Sequence, residues 1–322
     1  MRCVFIENPG LQSRLTIIDK EIPSYNKEQL LVRVKATALN RADLLQRQGK
    51  YPPPPGESII PGMEIAGEVV AVGEKVKQFK AGDRVYGLVA GGGYAEYCCL
   101  HQKLAAPIPE GWDFNFAAAI PEALMTAHAT LFSLGQLKPN QILLIHAAGS
   151  GIASFAIQMA SYIGAKVITT ASSEEKIEKA TLLGPISIIN YLKHDFAKLI
   201  SEQSLDLIVD FIGGDYFPKH LTLLKEKGKL IQIACMKGRF VECDLATIMR
   251  KRLNLIGFVL RHQTVTEKGR LWKEAQKQWI NALINRELVP IIDSVFNFKD
   301  IEQAHERMKS NAHFGKIVIQ LD

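Results

Sequence analysis

Residues 142–153, reading ILLIHAAGSGIA, constrain the fold more than any other stretch of the chain. Four apolar β-formers, Ile142 to Ile145, run into small residues. A helix-like segment follows from Ser154 to Ile163, closed by Gly164, and a second apolar run spans Lys166 to Thr170. Strand, small-residue turn, helix and strand in that order make a βαβ unit. Small side chains at such a turn let backbone N–H groups and the helix N-terminus approach a pyrophosphate. The stretch reads as a dinucleotide site and puts an oxidoreductase first. Helix-on-sheet packing alone would also use small residues; the order of elements favours the cofactor.

The turn departs from the glycine fingerprint. Aligned to G-x-G-x-x-G, the three glycine positions hold Ala148, Ser150 and Ala153, with Gly149 and Gly151 between them. Alanine is tolerated at the third place, where the need is close helix–strand packing. The acidic residue expected about 20 residues on, for a ribose 2′-hydroxyl, is missing. The second strand instead ends in Ala171-Ser172-Ser173-Glu174-Glu175-Lys176. Two hydroxyls and a positive charge suit a 2′-phosphate, which favours NADPH over NADH. Ser173 also reads as a helix N-cap with Glu174 and Glu175 in the first turn, a role compatible with holding an anion.

The 322 residues suit two domains with large cores. Hydrophobic content of 47% and charged content of 22% fit a globular chain. The net charge of +6 is dispersed, which makes nucleic acid an unexpected partner and helps attract an anionic cofactor. The densest basic run, Arg250-Lys251-Arg252, reads as a solvated turn before a strand. Cys3, Cys98, Cys99, Cys235 and Cys243 are odd in number and lack C-x-x-C spacing. That argues against a disulfide framework and for a reducing, cytoplasmic setting. The N-terminus shows no signal-peptide pattern, and no apolar run reaches the ~18 residues of a membrane span.

The first third reads as β-rich: Leu30–Ala36, Ile65–Gly73, Asp83–Gly87 and Tyr94–Cys98 alternate partly, punctuated by glycines. A compact β-barrel-like domain is expected there. Residues 117–134 turn helix-rich, with Pro121 breaking the pattern early. From Ile142 strands and helices alternate: strands at Ile186–Ile189, Leu205–Phe211, Lys229–Ala234 and Leu253–Val259, helices at Glu174–Leu183, Phe196–Glu202 and Tyr216–Leu224. That alternation predicts a doubly wound parallel sheet. A longer helix is expected at Glu267–Asn285. The last strand, Lys316–Gln320, could return to the first domain.

Several pieces recur in the order of a known family: Ala38-Leu39-Asn40-Arg41-Ala42-Asp43, Pro61-Gly62-Met63-Glu64-Ile65-Ala66-Gly67, Gly82-Asp83-Arg84-Val85, Gly92-Gly93-Tyr94-Ala95-Glu96-Tyr97, Ala118-Ala119-Ile120-Pro121, the turn above, and Gly315-Lys316-Ile317-Val318. Across nearly the whole chain they resemble the quinone oxidoreductase (zeta-crystallin-like) branch of the medium-chain dehydrogenase/reductases, nearest to its tumour-suppressor-inducible subgroup. The resemblance implies an α/β protein with a GroES-like β-barrel domain over 1–122 and 288–322 and a Rossmann domain over 123–287. It also implies a cleft between them, a homodimer, NADPH, and quinone reduction. Zinc members of the superfamily carry Cys and His ligands where this chain has Asn40 and Met63. Neither an amide nor a thioether replaces a thiolate or imidazole on zinc, and the cysteine-rich structural lobe is absent after Tyr97, so no metal is expected.

Without a metal, the cofactor carries the chemistry and the protein supplies orientation. A quinone needs stacking proximity and a hydrogen-bond donor near each developing oxyanion. Asn40 and Tyr51, which the resemblance places beside the nicotinamide, are the candidate donors; Asp43 is expected to orient its neighbours. Asn40 reads equally as a helix N-cap, and Tyr51 as a loop aromatic held by Pro52 to Pro55. By resemblance, Thr126 lies near the nicotinamide or phosphates, and Ser150, Gly151, Ile152 and Ala153 take the pyrophosphate. Ser172, Ser173, Lys176 and Tyr191 surround the 2′-phosphate. Ile212 and Gly213, with Gly214, approach the cofactor closely; Ala234, Met236, Phe258 and Leu260 frame the nicotinamide, against a competing reading as core. Lys316 is expected either to reach a cofactor phosphate or to sit on the last strand. His146, ending a buried strand, reads as a hydrogen-bonded structural residue. Reduction of activated C=C bonds in enones, and low-turnover NADPH binding in a structural or RNA-binding protein, are the alternatives.

Overall fold

The computed structural model describes residues 1–322. The chain divides into two compact units, one of Met1–Ala123 with Arg261–Asp322, the other of Leu124–Leu260.

In the first unit β1 (Arg2–Glu7) pairs antiparallel with β2 (Arg14–Asp19). There follow β3 (Gln29–Ala38), α1 (Arg41–Arg47), β4 (Glu64–Val72), β5 (Arg84–Leu88), β6 (Tyr97–His101), β7 (Ala105–Pro107), α2 (Phe114–Ala118) and α3 (Pro121–His128). Leu30, Val32 and Val34 of β3 alternate inward onto a core with Ile65, Val69, Val85 and Leu100, as a half-buried antiparallel sheet requires. The strand expected at Tyr94–Cys98 begins only at Tyr97. Tyr94 is instead held by bonds to distant parts of the chain: its carbonyl accepts from Val4 N and its amide donates to Pro61 O.

The second unit runs β8 (Ile142–Ile145), α4 (Gly151–Tyr162), β9 (Lys166–Ala171), α5 (Glu174–Thr181), β10 (Ser187–Asn190), α6 (Phe196–Leu199), β11 (Leu205–Asp210), α7 (Tyr216–Leu223), β12 (Leu224–Gln232), α8 (Leu245–Lys251) and β13 (Asn254–Gly257). All six strands are parallel, in the order β10-β9-β8-β11-β12-β13. Counted from β8 this is 3-2-1-4-5-6, the doubly wound dinucleotide order, whose direction reverses between β8 and β11. β8 is apolar throughout, and β11 is apolar between Asp206 and Asp210, as burial on both faces demands; Leu143, Leu144, Ile145, Ile208 and Val209 are fully buried. The basic run is not a solvated turn as a whole. Lys251 is buried, and its Nζ donates to the carbonyls of Leu221, Thr222 and Leu224, satisfying the C-terminal end of α7.

The chain then re-enters the first unit through α9 (Val265–Ile284), β14 (Ile292–Asn297), α10 (Ile301–Lys309) and β15 (Lys316–Gln320). The boundary expected at 287/288 therefore falls earlier, before α9. The reason is aromatic packing: Trp272 of α9 stands edge-on to Tyr86 of β5 at 5.6 Å and donates to Ala105 O. β15 lies between β14 and β3, antiparallel to β3.

Candidate functional site

In the second unit the expected cofactor residues collect at one end of the sheet. Ser150 to Ala153 follow β8, Ser172, Ser173 and Lys176 follow β9, and Tyr191 follows β10. Ile212 and Gly213 follow β11, Ala234 and Met236 follow β12, and Phe258 and Leu260 follow β13. Thr126, on α3, is the exception. Ligands of open α/β sheets bind outside these carboxyl ends, at the point where strand order reverses.

The turn after β8 folds as its small residues allow. Ala147 adopts a left-handed backbone (φ 58°), Ser150 N donates to Ala147 O, and the Ser150 hydroxyl caps α4 by accepting from Ala153 N at 3.0 Å. The amides of Gly151 and Ile152 lie in the first helical turn, where no intrahelical acceptor exists. They can meet an anion at the positive end of a twelve-residue helix. Ser173 caps α5 in the same way, through Lys176 N at 3.3 Å. No carboxylate stands directly at the end of β9, where Ser172 and Ser173 follow. After β11, Gly213 is left-handed (φ 65°), and a Cβ there would lie 2.7 Å from Gly238 O, so only glycine fits. Asp210 fixes this loop by accepting from Ile212 N (2.6 Å) and Gly213 N (3.1 Å). Met236 is half exposed, whereas Leu260 is buried.

His146 is fully buried, as its place at a strand end suggested. Its Nδ1 meets Thr170 Oγ1 at 3.1 Å and its Nε2 meets His220 Nε2 at 2.8 Å. His220 Nδ1 faces Asp210 Oδ2 at 3.5 Å. Burial pushes His146 well below the usual histidine range; burial, partly opposed by Asp210, lowers His220 to about 4. Both rings are neutral near pH 7.

In the first unit Asn40, Glu64 and Lys316 form one buried cluster. Lys316 Nζ donates to Glu64 Oε1 (2.6 Å), Asn40 Oδ1 (2.7 Å) and Leu39 O (3.2 Å). Asn40 Nδ2 donates to Glu64 Oε1 at 2.8 Å, and Glu64 Oε2 accepts from Glu122 N at 2.9 Å. This corrects the phosphate role considered for Lys316: its three ammonium hydrogens are spent inside the first unit. It also turns Asn40 from a donor toward substrate into a structural partner of Glu64. Glu64 was not singled out from the sequence.

Asp43 is buried and orients its neighbours as expected. Oδ2 accepts from Asn40 N (2.8 Å) and Tyr94 Oη (2.9 Å), and Oδ1 from Gly62 N (3.3 Å). Burial raises its pKa against these bonds. Gly62 is left-handed (φ 92°), and a Cβ there would clash with the Tyr94 ring. Tyr51 is half-buried and stacks on His262 (centroids 5.7 Å), with the Arg261 guanidinium 5.3 Å from its ring centroid. Arg261 is itself fixed by Ala90 O, Gln46 Oε1 and Tyr51 O. Burial pushes the Tyr51 phenol up to about 12, so it stays protonated. Arg261 and His262 escaped the sequence reading because no motif marks them; Tyr94 was read as part of a family piece and a strand, not as a partner of Asp43.

Two family models match, "Alcohol dehydrogenase GroES-like domain" over residues 26–110 and "Zinc-binding dehydrogenase" over 151–277. The quinone oxidoreductase of Thermus thermophilus, solved also in complex with NADPH, is 30% identical, with all of both chains covered and a TM-score of 0.83. This chain belongs to the quinone oxidoreductase branch of the medium-chain dehydrogenase/reductase superfamily. Human quinone oxidoreductase is 29% identical over 313 residues, covering 94% of this chain and 92% of that one. The zebrafish (Danio rerio) synaptic vesicle membrane protein VAT-1 homolog is 30% identical over 321 residues. That match covers 94% of this chain but 66% of the relative. No helix here is long and apolar enough to cross a membrane.

The zinc in the second family description finds no donor set at Asn40 and Met63. An ammonium, Lys316 Nζ, already sits against Asn40 and Glu64, and neither an amide nor a thioether is a zinc ligand of the usual kind.

Proposed function

We propose that this oxidoreductase reduces quinones with NADPH and without zinc. The observation that carries the reading is the Ser150-capped N-terminus of α4 at the switch point of a 3-2-1-4-5-6 sheet. NADPH fits the small-residue turns there, and when bound it supplies a hydride. Gly151, Ile152 and Ala153, with Ser150, would hold the pyrophosphate. Ser172, Ser173, Lys176 and Tyr191 would hold the 2′-phosphate, as the absence of a carboxylate directly after β9 favours. Ile212, Gly213, Ala234, Met236, Phe258, Leu260 and Thr126 would line the nicotinamide side.

Tyr51 is the donor we assign in the first unit. Its hydroxyl is protonated at neutral pH, and the adjacent Arg261 favours negative charge developing on an acceptor oxygen. Asn40 and Asp43 act as positioning residues: they lock the entry to α1. A quinone takes one hydride and one proton to become a hydroquinone, so a single protonated phenol near the acceptor suffices. We further propose a homodimer. β13 is an edge strand, and Leu245, Met249 and Leu255 beside it are exposed, a surface a second copy would cover. The five unpaired thiols fit a reducing compartment such as the cytoplasm.

Steady-state oxidation of NADPH and NADH against a quinone panel and an enone panel, with and without a chelator, tests the reading. Quinone turnover with NADPH, indifferent to chelator, is expected. Turnover on enones alone, or loss of activity with chelator, would overturn it.

A further inference from the structure

Thr170, His146, His220 and Asp210 form a chain across the switch point that the hydride chemistry does not use. The direction of donation is fixed from the Asp210 end, and the Ala147 end is compatible with it. Ala147 N donates to Thr170 Oγ1 at 3.3 Å, so the threonine hydroxyl is free to donate to His146 Nδ1 at 3.1 Å. A neutral His146 that accepts at Nδ1 carries its proton on Nε2, which donates to His220 Nε2 at 2.8 Å. His220 must then carry its proton on Nδ1. That buried nitrogen has no hydrogen-bond partner and faces Asp210 Oδ2 at 3.5 Å. A lone pair pointed at a carboxylate would be repelled; an N–H is attracted. All the donors therefore run one way, from the turn after β8 to the loop after β11.

The two ends of this chain are backbone. At one end is Ala147, the residue that enters the turn left-handed without being glycine, a strained conformation for a residue with a Cβ. At the other end Asp210 accepts from the amides of Ile212 and Gly213. We infer that the Thr170–His146–His220–Asp210 chain is a positioning element that holds the two cofactor loops in register for NADPH. This rests on the cofactor reading above. Metal binding is the competing use of His146, His220 and Asp210, which converge closely enough to be considered. The 2.8 Å separation of the imidazole nitrogens argues for a shared proton. Two imidazoles at ~2.0–2.1 Å from one tetrahedral zinc would lie about 3.3 Å apart.

The test pairs two measurements on the full chain. Equilibrium titration with NADPH should show Thr170→Val, which removes the hydroxyl at nearly constant volume, raising Kd about tenfold. kcat at saturating NADPH should stay within about twofold, and Thr170→Ser should restore Kd. Histidine ¹⁵N spectra of the wild-type protein should show His146 protonated on Nε2 and His220 on Nδ1, independently of whether any variant folds. Unchanged Kd in Thr170→Val, the opposite tautomers, or His146 and His220 resonances shifted by stoichiometric Zn²⁺ would each overturn the inference. A wild-type protein that does not bind NADPH would overturn the cofactor reading, and the positioning role with it.

Discussion

In the first unit a lysine ammonium is locked between Glu64 and Asn40; in the second, two neutral imidazoles are strung between Thr170 and Asp210. Both clusters are buried, and both tie distant strand ends together. The first relies on opposite charges. It is intolerant of losing a partner, because the remaining ion is left desolvated. The second relies on donor direction between neutral groups. It can lose one link at modest cost, but it cannot take up a proton without burying charge.

Breaking the charged cluster should have the largest effect. Lys316→Met leaves Glu64 buried without its cation and should cost about 3–5 kcal/mol in urea unfolding. Adding Glu64→Leu should return much of that loss, and a double variant no better than the single would remove the ion-pair argument. Acid should strike the other cluster. His146 and His220 have folded pKa values below the unfolded 6.5, so the unfolded chain binds protons first as pH falls. The stability they confer is complete above pH 6.5 and is lost as pH falls below it, for His220 on the way down toward about 4. For His220 the loss is about 1.4 kcal/mol per pH unit below 6.5, and His146 adds to it in the same direction. His220→Asn should flatten that slope; an unchanged slope would place the acid sensitivity elsewhere, His305 being the next buried candidate.

Asp43→Asn sharpens the comparison from a third side, since its carboxylate is buried like Glu64 but holds only neutral donors. Replacing one acceptor oxygen by an amide should cost about 1–3 kcal/mol, read as a lowered midpoint. The smallest effect is expected at the surface of the second unit. Lys176→Ala should raise the KM for NADPH several-fold and leave that for NADH nearly unchanged. Equal losses would remove Lys176 from the phosphate pocket.

Much of the second unit was legible because its signals are local. β8, the turn, α4 and β9 are contiguous, and β8, β10 and the middle of β11 are short apolar runs; the charged first half of β12, Leu224–Gln232, was missed for lack of such a run. β15 was read with its observed limits, Lys316–Gln320. What stayed hidden depended on pairs far apart in the chain. Lys316 follows a glycine at a strand start, where the sequence offers a cofactor phosphate or a plain strand position; only the antiparallel pairing of β15 with β3 brings it to Asn40 and Glu64. His220 carries no motif, and its role emerges once α7 sets it against the end of β8. The helix α9 was visible, but its side of the domain boundary was not, because Trp272 finds Tyr86 only in the folded chain.

The first unit is discontinuous in sequence, since Leu124–Leu260 intervenes between its two parts. Its sheet places β15, which lies C-terminal to the whole insertion, between β14 and β3. During translation the inserted unit has all six of its strands available while the host sheet still lacks that strand. The outer unit therefore completes its hydrogen bonding only after the whole inserted unit has been made, and truncation before Lys316 would leave a product with an open edge at β3.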